Sequence, residues 1–140
     1  MNDVIYSHKS DEWATPQDVF DALNDEFHFE LDPCATSENR KCEKYFTLAE
    51  NGLQKNWGGA KTFCNPPYSK IGEWVEKCYK ESEHGTVVML IPARTDTRWF
   101  HKYIYGKAEI RFVKGRIKFG GARNGAPFPS MIVIFRKDRV

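Results

Sequence analysis

Cys64-Asn65-Pro66-Pro67-Tyr68-Ser69 is the stretch on which the fold turns. A short run, Lys61-Thr62-Phe63, precedes it, and an amphipathic segment, Ile71 to Tyr79, follows. The stretch therefore reads as the end of a strand turning into a helix. Two successive prolines fix φ twice and remove two backbone donors. The carbonyls of Asn65 and Pro66 are thus expected to remain free as acceptors. An amide side chain stands before the prolines and an aromatic ring after them. The pattern is a stiff pair of acceptors beside a flat stacking surface.

Chemistry explains why these residue types belong together. The exocyclic amine of a nucleobase, or an amide nitrogen, is a poor nucleophile because its lone pair is spread into a π system. Two acceptors placed on its two hydrogens pull the nitrogen toward tetrahedral geometry and localise that lone pair. They also stabilise the positive charge that grows during attack, which is preorganised electrostatics rather than general-base chemistry. Asn65 Oδ1 and the Pro66 carbonyl are the candidate acceptors. Pro67 stiffens the corner, and Tyr68 is the candidate stacking partner for a planar substrate. A Pro-Pro turn entered by Asn is also ordinary loop chemistry. The full Asn-Pro-Pro-Tyr at a strand end is the more specific signal.

Downstream, Ile71, Trp74, Val75, Cys78 and Tyr79 share one helical face, with Ser69 as a candidate cap. His84-Gly85 ends that helix. Thr86-Val87-Val88-Met89-Leu90-Ile91 is continuously apolar, as a strand covered on both faces is, and Pro92 closes it. Arg94 to Trp99 is a basic loop expected at the same sheet edge as the Asn65 turn. A short helix is expected around Trp99 and Tyr103. Glu109 to Val113 reads as a strand, with Arg116-Ile117-Lys118-Phe119 as its continuation across Lys114-Gly115. Gly120 to Pro129 reads as a flexible loop, and Ser130 to Phe135 as the last strand.

Upstream, Met1 to Ser10 reads as a loose leader and residues 11–140 as a single domain. Asp11 to Pro16 reads as a helix entry, with Thr15 the N-cap and Pro16 the first helical residue. Val19, Phe20, Leu23 and Phe27 then mark roughly three turns with one apolar face. A helix N-terminus also offers N–H groups to a carboxylate. Phe27-His28-Phe29-Glu30-Leu31 alternates like a strand and runs into Asp32-Pro33-Cys34-Ala35-Thr36. An acid just past a first strand stands where open α/β folds gather a ligand, although Pro33 and Ala35 occupy places where glycines are expected. Tyr45 and Phe46 are expected to pack inward. Asn51-Gly52-Leu53 is a turn leading to Trp57, and Gly58-Gly59 break the chain before the central strand. Alternating strands and helices with buried runs predict an α/β fold, mostly parallel, with an antiparallel C-terminal strand.

Composition narrows the class. With 140 residues, 41% hydrophobic and 29% charged, the chain reads as one soluble globular domain. No apolar run approaches a membrane span, and Met1-Asn2-Asp3 begins no secretory signal. A cytoplasmic protein without membrane partners is expected. Cys34, Cys42, Cys64 and Cys78 show no Cys-x-x-Cys spacing and read as free buried thiols rather than disulfides or zinc ligands. The net charge is only +2, but it is unevenly spread. Asp11, Glu12, Asp18, Asp21, Asp25 and Glu26 crowd the first part. Arg94, Arg98, Lys102, Lys107, Arg111, Lys114, Arg116, Lys118 and Arg123 face only Asp96 and Glu109 later on. A solvated surface would show the same asymmetry. The interleaved Trp99, Phe100, Tyr103, Phe112 and Phe119 favour nucleic acid, since bases stack on aromatic rings.

Taken in order, several segments resemble the phage-type DNA N-6-adenine methyltransferase family. They are Trp13-Ala14-Thr15-Pro16, Leu31-Asp32-Pro33-Cys34-Ala35, Tyr45-Phe46-Thr47, Gly52-Leu53 with Trp57, Asn65 to Tyr68, Gly115 to Phe119, and Ser130 to Phe135. The likeness covers nearly everything after residue 10. The tetrapeptide alone resembles the catalytic motif of S-adenosylmethionine-dependent amino-methyltransferases at large, including those acting on RNA bases or protein glutamine.

The resemblance implies a Rossmann-like methyltransferase fold, S-adenosylmethionine as donor, and adenine of double-stranded DNA in a bacterial host cell as acceptor. No metal is required. By position it implies Trp13, Thr15 and Pro16 as an N-terminal cofactor segment, and Asp32, Pro33 and Ala35 as the first cofactor motif. Asn51, beside Gly52 and Leu53, stands where related enzymes often have an aspartate that reads the cofactor adenine. Asn65, Pro66, Pro67 and Tyr68 are implied as catalytic, with Asn65 also beside the donor. Arg94, Arg98 and Phe119 are implied contacts to DNA or to an extruded base; Arg116 is implied as a phosphate contact or a structural ion pair. A chain of this length leaves little room for a recognition domain. Short specificity is expected, read by residues 94–99 and 120–129 or by a second subunit of a homodimer. A decayed homologue that binds nucleic acid without cofactor is the alternative from another class.

Overall fold

Val87 to Pro92 form the central strand because their side chains alternate between two covered faces. Val87, Met89 and Ile91 pack with Trp74, Val75 and Cys78 on one side. Val88 and Leu90 pack with Phe20, Leu23 and Phe27 on the other. Ser130 to Phe135 repeats the pattern, with Met131, Val133 and Phe135 on the first face and Ile132 and Ile134 on the second. Strands buried on both faces have no polar positions to spare, which is why both segments read as unbroken apolar runs.

The computed structural model describes residues 13–138. The expected leader at 1–10, Asp11 and Glu12 of the helix entry, and the last two residues lie outside them. The elements are α1 (Gln17–Phe27), β1 (Leu31–Asp32), β2 (Lys44–Tyr45), β3 (Thr62–Cys64), α2 (Ile71–Glu81), β4 (Val87–Pro92), β5 (Glu109–Phe112) and β6 (Ser130–Phe135). One sheet has the order β2-β1-β3-β4-β6-β5. The strands β2, β1, β3 and β4 are parallel, and β6 runs antiparallel to both its neighbours. The sheet is thus mostly parallel with an antiparallel C-terminal strand, as its alternating elements predict.

Several local expectations are corrected. Phe27 belongs to α1, and His28 follows in the left-handed region (φ 56°), its N–H bonded to the Asn24 carbonyl at 2.8 Å. The strand therefore begins only at Leu31, and the alternation of Phe27 and Phe29 comes from two rings stacking at 5.8 Å. Residues 116–119 do not extend β5. The chain turns at Gly115 (φ 78°) and drops Ile117 and Phe119 under the sheet beside Ala126. The 120–129 segment is pinned rather than loose: the Ala126 N–H donates to the Ile117 carbonyl at 2.8 Å, and Phe128 packs on both core clusters. Ser69 falls within a 3-10 turn, Tyr68–Lys70, so Lys70 holds the cap position of α2. The short helix near Trp99 is a π-type turn, Phe100–Ile104. All four cysteines are free thiols.

Charge placement also differs from the sequence reading. Arg111 forms a bidentate pair with Glu26 at 2.7 and 2.8 Å and a further bond to Glu109. Arg136 bonds the same Glu109. Arg111 is therefore neutralised at the sheet edge and is not part of a surface open to a polyanion.

Candidate active site

Because β1, β3 and β4 are parallel, their C-terminal ends reach one edge of the sheet. Ligands of open α/β sheets gather at such an edge. There the chain leaves β1 as Pro33-Cys34-Ala35, β3 as Asn65-Pro66-Pro67, and β4 as Ala93-Arg94. A cavity of about 340 Å³ opens beside the first two, within the range of small-molecule sites. Trp13, Thr15, Asp32, Pro33, Ala35, Asn51, Leu53, Asn65 and Pro67 line it. The turn at Asn51 is pressed against this wall. A Cβ on Gly52 would stand 2.1 Å from the Pro33 carbonyl oxygen.

Asn65 is held by the segment that precedes α1. Its amide nitrogen donates to the Trp13 carbonyl and, at 2.9 Å, to Thr15 Oγ1. Thr15 is consequently not the helix cap: Pro16 occupies that position with no side-chain bond. Asn65 Oδ1 is buried and has no hydrogen-bond partner among the described residues. Leaving such an acceptor unmatched costs about 1–3 kcal/mol, and native structures keep few of them. The main-chain carbonyl of Asn65 is not free, because it accepts the Cys34 thiol at 3.4 Å. Cys34 and Cys64 lie Sγ to Sγ at 3.6 Å. Burial pushes both thiols well above their ordinary values, so they are neutral and unreactive at neutral pH.

Tyr68 does not present an open face. Trp13 lies 13° from parallel to it with ring centroids 6.1 Å apart. Phe119 and Phe128 meet it edge-on at 6.4 and 5.5 Å. A base between two rings needs about 7 Å, twice a carbon contact of about 3.5 Å. No slot of that width separates Trp13 from Tyr68. The Tyr68 hydroxyl is buried without a partner among the described residues, and burial pushes its pKa upward, so the phenol is neutral.

Asp32 forms the acidic part of the cavity wall. Its Oδ2 accepts the Lys41 backbone N–H at 3.0 Å. Burial nevertheless raises its pKa from 3.8 to about 6, against the pull of backbone N–H bonds from Lys41 and Cys34. A cation in the cavity would favour the carboxylate. Asn51 has φ 56° and accepts the Leu53 N–H at 3.3 Å on its own side chain.

The sequence profile of the DNA N-6-adenine-methyltransferase (Dam) family matches residues 4–139. The chain belongs to the Dam family. It is 36% identical over 107 residues to the DNA N-6-adenine-methyltransferase of Escherichia phage T1, covering 74% of this chain and 45% of that protein. It is 34% identical over 139 residues to the DNA N-6-adenine-methyltransferase of Haemophilus phage HP1 (strain HP1c1), covering 91% of this chain and 80% of that protein. The chain thus spans less than half the length of the T1 relative.

Other expected site residues of this Dam-family chain stand apart from the cavity. Pro16, Pro66, Tyr68 and Phe119 do not line it. Arg94 and Arg98 are exposed beyond β4, and their guanidinium groups make no hydrogen bond or ion pair among the described residues. Arg116 bonds the Ala126 carbonyl at 3.3 Å, a structural contact to backbone rather than an ion pair. Residues given no site role by the sequence also line the cavity, among them Thr36, Asn39, Lys41, Leu48 and Trp74. Leu48 is 82% exposed at the cavity. Phe128 joins Trp13 and Tyr68; only its lodging among other aromatic side chains marks it out.

Proposed function

We infer that this Dam-family protein transfers a methyl group from S-adenosylmethionine to the exocyclic amine of adenine in double-stranded DNA. The observation that carries this reading is Asn65 Oδ1, a buried acceptor without a partner among the described residues, on a turn that borders a cofactor-sized cavity. Family membership and the phage relatives named as DNA N-6-adenine-methyltransferases support the choice of substrate.

The residues present fit the donor. Asp32 would hold its cationic part, Asn51 and Leu53 would flank its adenine, and Trp13 and Asn65 would close the methionine end. S-adenosylmethionine, when bound, supplies a methyl group on a positively charged sulfur, which is a good leaving group. Asn65 Oδ1 and the Pro66 carbonyl would take the two hydrogens of the adenine amine and localise its lone pair. Tyr68 would stack on the extruded base. That step needs the Trp13 ring to move, since the two rings leave no slot for a base between them. Arg94 and Arg98 would meet DNA phosphates beyond β4 and make binding salt-dependent. Specificity would be short, read by residues 94–99 and 120–129.

The test is incubation with donor labelled in the methyl group and a panel of duplex DNA, RNA and protein. Label is expected in duplex DNA as N6-methyladenine. Label only in RNA or in protein glutamine, or none with DNA bound but donor unbound, would replace this reading. Asn65→Ala should lower turnover about 100-fold or more, far more than it lowers donor affinity.

A further inference from the structure

A carboxamide has two ends of almost the same shape and opposite hydrogen-bond character. Rotation by 180° exchanges the acceptor for a donor. With Asn65 so turned, an N–H would face the N–H of a substrate amine, and the amine could not be held. Something outside the Asn65-Pro66-Pro67-Tyr68 stretch has to select the orientation.

The segment before α1 does so. The Trp13 carbonyl can only accept, so the side-chain end beside it is the nitrogen. Thr15 Oγ1 takes the second hydrogen at 2.9 Å. Both Asn65 hydrogens are thereby used, and Oδ1 is left at the opposite end. Rotation would set oxygen against the Trp13 carbonyl oxygen and forfeit that bond, which selects the orientation; the Thr15 hydroxyl, by accepting the second hydrogen, holds the amide in it. The template is itself anchored. The Ala14 carbonyl accepts the Gly120 N–H at 2.9 Å, and the Pro16 carbonyl accepts the Phe20 N–H at 3.2 Å. Thr15 is 6% exposed, so water does not readily replace its hydroxyl.

We propose that Thr15 is a positioning residue for methyl transfer, its hydroxyl and the Trp13 carbonyl together holding the Asn65 carboxamide with its oxygen turned to the substrate amine. This rests on the activity proposed above. It gives Thr15 a role in turnover, in place of a cap or a dedicated cofactor ligand.

The test compares Thr15→Val, which keeps shape and removes the acceptor, with Thr15→Ser, which keeps the acceptor. Methyl transfer is measured at saturating donor and DNA, and affinity is measured with S-adenosylhomocysteine. Thr15→Val should slow transfer about 10-fold to 100-fold with affinity within about threefold, and Thr15→Ser should stay within about threefold of wild type. Weaker S-adenosylhomocysteine binding with transfer unchanged at saturation would overturn the proposal. An independent measurement uses the wild-type protein labelled with 15N-asparagine. The Asn65 side-chain amide protons should exchange with solvent far more slowly than those of an exposed asparagine. Fast exchange would overturn the proposal whether or not Thr15→Val folds. A wild-type protein that leaves adenine unmethylated yet protects these protons would fail the activity and leave the hydrogen-bonded arrangement standing.

Discussion

The Trp13 indole lies 13° from parallel to the Tyr68 ring with centroids 6.1 Å apart, too close to admit a base between them. A base that stacks on Tyr68 therefore displaces Trp13. We expect the tryptophan emission that differs between wild type and Trp13→Phe to shift to the red when duplex DNA and S-adenosylhomocysteine are both added. S-adenosylhomocysteine alone should leave that difference spectrum nearly unchanged. An unmoved spectrum in the full complex would show that the base lies elsewhere.

Tyr68 should act through its ring and not through its hydroxyl, which has no partner among the described residues. Tyr68→Phe should be as stable as wild type, or more stable by up to about 1 kcal/mol, because it removes an unmatched buried hydroxyl. Its turnover should stay within about threefold of wild type. Tyr68→Ala removes a stacking contact worth about 1–3 kcal/mol per base, so affinity for target DNA should fall about 10-fold to 100-fold. Filter binding and denaturant melts separate the two. A large loss in Tyr68→Phe would assign the hydroxyl a part in the reaction.

Asp32 makes stability and donor binding respond oppositely to pH. Its folded value of about 6 lies above the ordinary 3.8, so the folded state holds the proton more tightly. The stability from this group is fully present below about pH 4 and is lost as pH rises through about 6. The difference is roughly 3 kcal/mol. Asp32→Asn should therefore be more stable than wild type at pH 7.5, with the gap closing toward pH 4. In the role proposed for Asp32 the carboxylate holds the donor's cation, so wild-type affinity should weaken as pH falls through about 6, and Asp32→Asn should bind weakly throughout. Chemical denaturation and calorimetry across pH 4 to 8 would check both arms. Equal stability of the two proteins at pH 7.5 would refute the buried charge.

Gly52→Ala should damage the cavity wall from behind. Its Cβ would sit 2.1 Å from the Pro33 carbonyl oxygen, and this neighbour is backbone that cannot swing aside. Overpacking of this kind costs about 1–3 kcal/mol. Both the melting temperature and S-adenosylhomocysteine affinity should drop, since Pro33, Asn51 and Leu53 share that wall. A melt identical to wild type would mean that the two loops separate without strain.

Legibility followed the range of the forces involved. Ile71, Trp74, Val75 and Cys78 were readable as a buried helical face because their spacing repeats within one segment. The strands Val87–Pro92 and Ser130–Phe135 were readable from unbroken apolar runs. Leu31–Asp32 was blurred, since the rings of Phe27 and Phe29 alternate like a strand while the backbone caps a helix. Arg111 looked like part of a basic surface because nothing near it in sequence announces its pairing with Glu26, 85 residues away.

The chain alone determined that a proline-stiffened corner with an amide before it and an aromatic ring after it ends a strand of a mostly parallel sheet. Proline torsions and apolar spacing act between near neighbours, so they are written in the residue order. Tertiary structure decided which way the Asn65 amide faces, what covers Tyr68, and how strongly Asp32 holds its proton. Those depend on Thr15 and Trp13 standing some fifty residues away along the chain, and on how much water the packed fold excludes.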